Sequence, residues 1–190
     1  MLRPDYLAEK FDAAETYADH IAAGTTDHQQ KWRAEYDLTR LTPEQQKLLA
    51  GFTREMRVLV LSGTWCGDCV AQCPLLAKLG EANPRKVLVR FLDRDTHKDL
   101  AEQVTICGGM RVPTAIFLTE DHQFCSILGD RTLRRYRTLA EKKLGAACET
   151  GLVPAADAER AATLQDWAEE FERVQLMLRL SPRLREKHGD

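Results

Sequence analysis

The sequence has no long apolar run and little excess of either charge. No segment approaches the ~18 consecutive apolar residues needed to cross a bilayer, so we expect no membrane-spanning helix. The 27 lysine and arginine residues nearly balance the 29 aspartate and glutamate residues, which argues against a nucleic-acid partner. The N-terminus carries Asp5 and Glu9 and lacks the basic, then apolar, then small-residue order of a secretory signal. We therefore expect a soluble, cytoplasmic protein with no nucleic-acid or membrane partner.

Cysteine is also sparse, with six residues in a chain of 190. In a reducing cytoplasm a disulfide framework is not expected, and a catalytic or metal-binding use of a few cysteines is favoured instead. A chain of this length can bury one substantial core, which favours a single domain with extensions over two independent domains.

Two of the cysteines lie in the motif Trp65-Cys66-Gly67-Asp68-Cys69, between an apolar run at 56–61 and a predicted helix. Two thiols separated by two residues can close a disulfide and reopen it. The positive end of the helix dipole favours the thiolate of Cys66, the first of the pair. The motif therefore predicts redox chemistry.

A second motif, Arg111-Val112-Pro113-Thr114, heads another apolar run. A proline at the start of a strand is hard to explain by ladder hydrogen bonds alone. Together the two motifs resemble the thioredoxin family, in which the corresponding proline is cis and packs against the active-site disulfide. The linker Gly67-Asp68 and the segments Gly108-Gly109 and Gly129-Asp130-Arg131 resemble those of a bacterial thioredoxin-like group with a Trp-Cys-Gly-Asp-Cys active site.

The resemblance implies a role for each residue of the two motifs. Cys66 would be the nucleophile and Cys69 the buried resolving thiol. Trp65 would flank the nucleophile on the substrate-binding surface, and the backbone of Val112, exposed by the cis bond at Pro113, would pair with the substrate chain. The alternatives are a core aromatic at Trp65 and, at Pro113, the trans bond that most X-Pro pairs adopt. Because the disulfide is itself the redox group, no other cofactor and no metal is implied.

The proton chemistry of the pair departs from that of common thioredoxins at two positions. The buried acid that thioredoxins carry on the first strand falls at Val60, so the proton of Cys69 must go to another group or to water. Asp68 is a candidate modulator by proximity, and the alternative is a solvated linker residue. Because a negative charge at Asp68 opposes a thiolate at Cys66, we expect the pKa of Cys66 to lie nearer the ~7 of thioredoxin than the ~3.5 of DsbA.

The predicted elements follow the order strand, helix, strand, helix, strand, strand, helix. This order predicts an α/β protein with a thioredoxin fold, in which helices flank a central mixed sheet, with helices added at both ends. We divide the chain into an N-terminal helical extension at 1–52, a thioredoxin-like domain at 53–147, and a C-terminal helical extension at 148–190 packed on the same domain. One helical face is predicted to run from Leu7 to Ile21. Thr42 and Gln45 are predicted to form a capping box at the start of a short helix, and a polar helix is predicted at 96–105. The last helix is predicted to carry one apolar stripe from Leu164 to Leu178, and residues 181–190 are predicted to fray.

We interpret the chain as a thiol-disulfide oxidoreductase that reduces protein disulfides through a dithiol-disulfide cycle of Cys66 and Cys69. A thioredoxin reductase or a small thiol would restore the dithiol. The alternative is a thioredoxin-like binding or sensor module whose cysteines bind metal or hold a partner without turnover.

A zinc site would need two ligands beyond the Cys66 and Cys69 pair. The remaining candidates offer no second paired spacing, and they are Cys73, Cys107, Cys125, His97 and His122. We expect the cysteines outside the pair, Cys148 included, to be small buried apolar residues.

Overall fold

The computed structural model describes residues 2–144 and 156–190. Within these ranges one sheet contains β1 (Met56–Ser62), β2 (Val87–Asp93), β3 (Thr114–Thr119) and β4 (Phe124–Gly129). The strands lie in the order β2-β1-β3-β4. β1 pairs with β2 in parallel, whereas the pairs β1–β3 and β3–β4 are antiparallel. The predicted central mixed sheet is confirmed.

β1 lies in the middle of the sheet, and all of its residues except Arg57 are buried. A strand covered on both faces needs a continuous apolar run, which is what its sequence supplies. At the end of β1, Leu61 lies opposite Thr114, the first residue of β3. Thr114 in turn lies opposite Gly129, the last residue of β4. The loops that carry both sequence motifs therefore start from the same edge of the sheet.

Helices precede the sheet and occupy most of the first 50 residues. They are α1 (Pro4–Asp12), α2 (Tyr17–Ala22), α3 (Thr26–Leu38) and α4 (Pro43–Ala50). The predicted capping box of α4 is confirmed, because the Thr42 side chain accepts from the Gln45 amide and the Gln45 side chain accepts from the Thr42 amide. Such reciprocal bonds satisfy two amides that the first helical turn leaves unpaired.

The prediction of a single helical face from Leu7 to Ile21 is wrong, because the chain breaks between α1 and α2. In the break, Glu15 exchanges two backbone hydrogen bonds with Phe91 of β2, with N···O distances of 2.8 and 2.9 Å. Thr16 then caps α2 by accepting from the Asp19 amide. β2 is an edge strand with unpaired backbone groups, and pairing one residue of the N-terminal segment with it competes with a continuous helix.

The helices that follow β1 cover the sheet on both faces, as the thioredoxin fold requires. They are α5 (Gly67–Glu81), the short α6 (Lys98–Ala101) with a 3₁₀ turn at Glu102–Val104, and α7 (Leu133–Leu144). α5 packs against β1, β2 and α3. The predicted helix at 96–105 begins later than expected, because the Asp93 carboxylate accepts from the amides of Asp95 and Thr96 and holds them in a turn.

The C-terminal part consists of α8 (Ala156–Leu180) and α9 (Pro182–His188). α8 packs on α4, α5, α7, β1 and β4, and its predicted apolar stripe is buried throughout: Leu164, Trp167, Phe171, Val174 and Leu178. The prediction that 181–190 frays is wrong, because Ser181 caps α9 and Leu184 is buried. In the described part of the chain no helix is long and apolar enough to cross a membrane.

Candidate active site

The start of α5 exposes one thiol and hides the other. Cys66 is the N-cap residue, with extended backbone angles (φ −85°, ψ 123°), and the helix begins at Gly67. The Val70 amide donates to the Cys66 carbonyl at 3.0 Å. Cys66 is half-buried, whereas Cys69, one turn later, is fully buried. An incoming disulfide can therefore reach the first sulfur before the second.

The Pro113 loop lies directly beside Cys66. The Val112–Pro113 peptide bond is cis, and the Cys66 Sγ lies 3.6 Å from the carbonyl oxygen of Val112. Val112 and Pro113 are themselves buried. The fold thus brings together the two motifs that are far apart in the sequence.

Trp65 lies on the surface next to Cys66, with 47% of its area exposed. Its ring faces the Arg94 guanidinium, whose central carbon is 4.6 Å from the ring centroid. Arg94 also donates to the Met110 carbonyl at 3.3 Å and pairs with Asp95 at 2.8 Å. A side chain at Gly63 would collide with the ring, since a Cβ there would lie 2.7 Å from it. Trp65 is therefore not a core aromatic, and Arg94 is a site residue that the sequence reasoning missed.

Asp68 is neither solvated nor free. Its two carboxylate oxygens accept from Arg131 at 2.6 Å and from Arg135 at 2.8 Å. Arg135 pairs in addition with Glu159 of α8 at 2.9 Å. Two guanidinium groups therefore compensate the negative charge that Asp68 was expected to place near the thiols.

A second carboxylate, Asp130, lies buried next to the Pro113 loop. It accepts from Arg131 at 2.8 Å and Arg111 at 3.3 Å, and it also accepts from the Tyr136 hydroxyl. Burial raises the pKa of Asp130, but the bonds from Tyr136 and the two arginines outweigh it, and the net pKa lies below the usual value. Arg131 joins this carboxylate to Asp68. One charged cluster therefore links α5, α7, the Pro113 loop and the segment between β4 and α7.

Glycine is needed at 129 because β4 ends against the Pro113 loop. A Cβ there would lie 2.7 Å from the Thr114 Oγ1 and 2.9 Å from the Pro113 carbonyl oxygen. The sequence analysis singled out Gly129-Asp130-Arg131 by resemblance alone. Its physical role is to bring the Asp130 and Arg131 side chains to the start of α5.

The pKa of the Cys66 thiol is raised above its usual value. The first cause is its hydrogen bond with Cys69, and the second is burial, both of which favour the protonated form. The backbone amides of Cys69 and Asp68, at the start of α5, act in the opposite direction. The expectation that this pKa lies nearer the ~7 of thioredoxin than the ~3.5 of DsbA stays a prediction.

Burial raises the pKa of Cys69 well above its usual value. Its neighbours are the Cys66 and Cys73 thiols and the Gly63 backbone. Val60 lies buried on β1, so no carboxylate occupies the position where thioredoxins carry their acid. The Cys69 thiol has a hydrogen-bonding environment of sulfur and backbone.

The other cysteines differ from one another. Cys73 is fully buried, as expected, and Cys125 is half-buried, which raises its pKa to about 11. Cys107 is exposed at a turn with a positive φ of 50°, so the expectation of a buried thiol is wrong there. Cys148 lies outside the described residues. Within 2–144 and 156–190, no three histidine, cysteine or acidic side chains cluster closely enough to hold a metal ion.

The sheet, the thiol pair at a helix start and the proline loop together define a thioredoxin-fold protein with a paired-cysteine site. A family model described as "Thioredoxin" matches residues 14–140. The match covers more than half of the chain, and the chain belongs to the thioredoxin family. The narrower resemblance to a bacterial group with a Trp-Cys-Gly-Asp-Cys site stays a prediction.

A curated relative is "Protein disulfide isomerase-like 2-2" of Oryza sativa subsp. japonica, 31% identical over 110 residues. The alignment covers 56% of this chain but only 29% of that protein. Among solved structures, a protein of unknown function from Pseudomonas aeruginosa shares 18% identity with a TM-score of 0.63, over 86% of this chain and 97% of that chain. An HIV epitope scaffold shares 17% identity with the same TM-score, over 85% and 97%. These two structures support the fold alone.

Proposed function

We propose that the protein is a thiol-disulfide oxidoreductase that reduces protein disulfides with Cys66 and Cys69. The observation that carries this proposal is the geometry of the pair: a half-buried sulfur at the helix start, 3.6 Å from the Val112 carbonyl, with a fully buried second sulfur behind it. The family and the disulfide isomerase-like relative support the same class of chemistry.

The cycle begins when the Cys66 thiol loses its proton and attacks one sulfur of a target disulfide. A mixed disulfide forms, the target S–S bond breaks, and the released target thiolate takes up a proton. Cys69 then loses its proton and attacks the Cys66 Sγ. The second target thiolate leaves and is protonated, and the protein ends as the Cys66–Cys69 disulfide. Two electrons and two protons have moved from the dithiol to the target.

The neighbouring residues supply a docking surface for that target. The exposed face of Trp65 and the backbone of Val112 flank Cys66 on two sides. We assign to Val112 the backbone contact with the substrate chain and to Pro113 the loop geometry that presents it. A thioredoxin reductase or a small thiol would return the disulfide to the dithiol, and this donor and the cytoplasmic location stay predictions.

Reduction of insulin disulfides tests the proposal. We expect the wild-type protein to reduce insulin with NADPH and a thioredoxin reductase, or with dithiothreitol, and Cys66→Ser to abolish the reaction. Cys107→Ser is a matched control, because it makes the same change at an exposed thiol outside the pair. A wild-type protein that is folded, does not reduce insulin with either donor and binds zinc would refute the proposal in favour of a metal-binding module.

A further inference from the structure

The loop between β1 and Cys66 is held by residues that lie far earlier in the sequence. The Trp32 indole Nε1 of α3 donates to the Thr64 carbonyl at 3.0 Å. The His20 Nε2 of α2 lies 2.6 Å from the Ser62 Oγ. Trp32, His20 and Ser62 are almost completely buried. α2 and α3 therefore make direct hydrogen bonds to residues 62 and 64, immediately before Trp65 and Cys66.

The His20 contact is part of a chain of three groups, of which His20 and Ser62 are buried and Glu15 is exposed. The His20 Nδ1 lies 3.3 Å from a Glu15 carboxylate oxygen, and the His20 ring stacks on Phe91. Burial lowers the pKa of His20, although Glu15 opposes the shift, so the neutral ring is the relevant form. With Nδ1–H donating to Glu15, Nε2 is left to accept from the Ser62 hydroxyl. Glu15 is itself fixed by its backbone pairing with Phe91.

The turn between α2 and α3 adds a steric contact to the same loop. A Cβ built on Gly24 would lie 3.0 Å from the Thr64 Cβ, so backbone and side chain already touch there. Two hydrogen bonds and one packing contact thus restrain Ser62, the last residue of β1, and the two loop residues that follow it.

The restrained loop contacts the backbone of Cys66 and the sulfur of Cys69. The Cys66 amide donates to the Gly63 carbonyl at 3.0 Å, which fixes the N-cap residue relative to the loop. The Gly63 backbone also hydrogen bonds with the Cys69 sulfur. A shift of 62–64 would move Cys66 relative to Val112 and Cys69 relative to the Gly63 backbone together.

We propose that His20 and Trp32 are positioning residues for the dithiol: through Ser62 and Thr64 they fix the loop that sets the place of Cys66 at the start of α5. The consequence for turnover rests on the proposed function, whereas the consequence for the geometry of Cys66 does not. The N-terminal helices thereby act on the site without contacting substrate.

The test compares three variants that each remove one hydrogen bond. Trp32→Phe removes the bond to Thr64, and Ser62→Ala removes the bond to His20. Tyr17→Phe is the matched control, because the Tyr17 hydroxyl donates to the Trp32 carbonyl at 3.2 Å and does not reach the loop. Thermal unfolding of each variant shows that it is folded and how far its stability falls.

Two rates are then measured for each protein. The first is the rate at which iodoacetamide alkylates Cys66 at fixed pH, in a background in which Cys107, Cys125 and Cys148 are replaced by serine. The second is the rate of insulin reduction. Trp32→Phe and Ser62→Ala are the two loop variants, because each removes a hydrogen bond to 62–64. In both we expect alkylation of Cys66 to become faster, because Cys66 leaves its contact with Val112. Insulin reduction should become slower by about tenfold, because the attacking sulfur is misplaced. Tyr17→Phe should change either rate by less than about twofold.

Opposite movement of the two rates is a result that general destabilisation does not produce. If both rates follow the fall in stability equally in all three variants, or if alkylation is unchanged in the loop variants, the positioning role is refuted. If the wild type fails to reduce insulin while the loop variants still accelerate alkylation, the proposed function falls and the positioning of Cys66 stands.

Discussion

The two sides of Cys66 are built from different chemistry. On one side, His20 and Trp32 reach the preceding loop with neutral hydrogen bonds that are almost fully buried. On the other side, Asp68 and Asp130 are held by arginines whose side chains are 17 to 42% exposed. The neutral side is insensitive to salt and fixes geometry, whereas the charged side is open to water and sensitive to pH and salt.

The ion pairs on the charged side show that Asp68, the linker aspartate, need not act on the thiols directly. Asp68 lies between Cys66 and Cys69 in the sequence, yet its carboxylate is paired with Arg131 and Arg135. Its structural effect is to tie the start of α5 to α7. The neutral side therefore sets the position of Cys66, and the charged side attaches α7.

The largest effect on the charged side is expected at Asp130. Asp130→Asn should lower the free energy of unfolding by about 2 kcal/mol, because a buried carboxylate with three charge-assisted partners is lost. Since the folded pKa of Asp130 is depressed, its contribution is fully present above the unfolded value of ~3.9 and disappears as the pH falls through the folded pKa. Urea unfolding at pH 7 and at pH 3 measures both.

The difference between the wild type and Asp130→Asn should therefore shrink at pH 3. An equal difference at the two pH values would show that the substitution acts through packing and not through charge. The neutral side supplies the control: Tyr17→Phe should cost about 1 kcal/mol at both pH values.

A smaller effect is expected for the pH dependence of Cys66. Because its hydrogen bond with Cys69 is the first cause of the raised pKa, the alkylation rate of Cys66 should keep rising above about pH 8.5. Cys69→Ala removes that bond, so the same curve should shift to lower pH. A wild-type curve that reaches its plateau below pH 7, or a curve that Cys69→Ala leaves in place, would contradict the stated cause.

The smallest effect is expected at Asp68. Asp68→Asn should cost about 1 kcal/mol of stability, since its partners Arg131 and Arg135 are only partly buried. The alkylation curve of Cys66 should stay where it is. High salt should remove most of the stability difference between the two proteins. A marked fall in the pKa of Cys66 in Asp68→Asn would restore the idea that the aspartate opposes the thiolate.

The central sheet could be predicted because the residue pattern that favours its middle strand, β1, lies within one short segment of the sequence. The run from Met56 to Leu61 is apolar apart from Arg57, and such a run has few alternatives to a strand covered on both faces. The capping box at Thr42 is equally local. The family resemblance rested on two short motifs, and the fold places both at one edge of the sheet because Leu61 lies opposite Thr114.

What sequence reasoning missed depends on residues that meet only in three dimensions. The helical period continues through Glu15, and only the open edge of β2 explains why the helix breaks there. The partners of Asp68 come from Arg131 and Arg135, which no spacing rule connects to α5. For Arg94 a signal did exist, because it directly follows β2 at the edge where the carboxyl ends of the two parallel strands meet.

We predict that Cys66 attacks the target disulfide and that Cys69 resolves the mixed disulfide. Capture of mixed disulfides tests these two roles directly. The Cys69→Ser protein, incubated with extract of its own cells, should accumulate covalent adducts that dithiothreitol releases, because the attack proceeds but the release step is blocked. The Cys66→Ser protein, treated identically, should capture nothing through sulfur. Adducts on Cys66→Ser but not on Cys69→Ser would reverse the two roles, and no adducts on either protein would contradict the account.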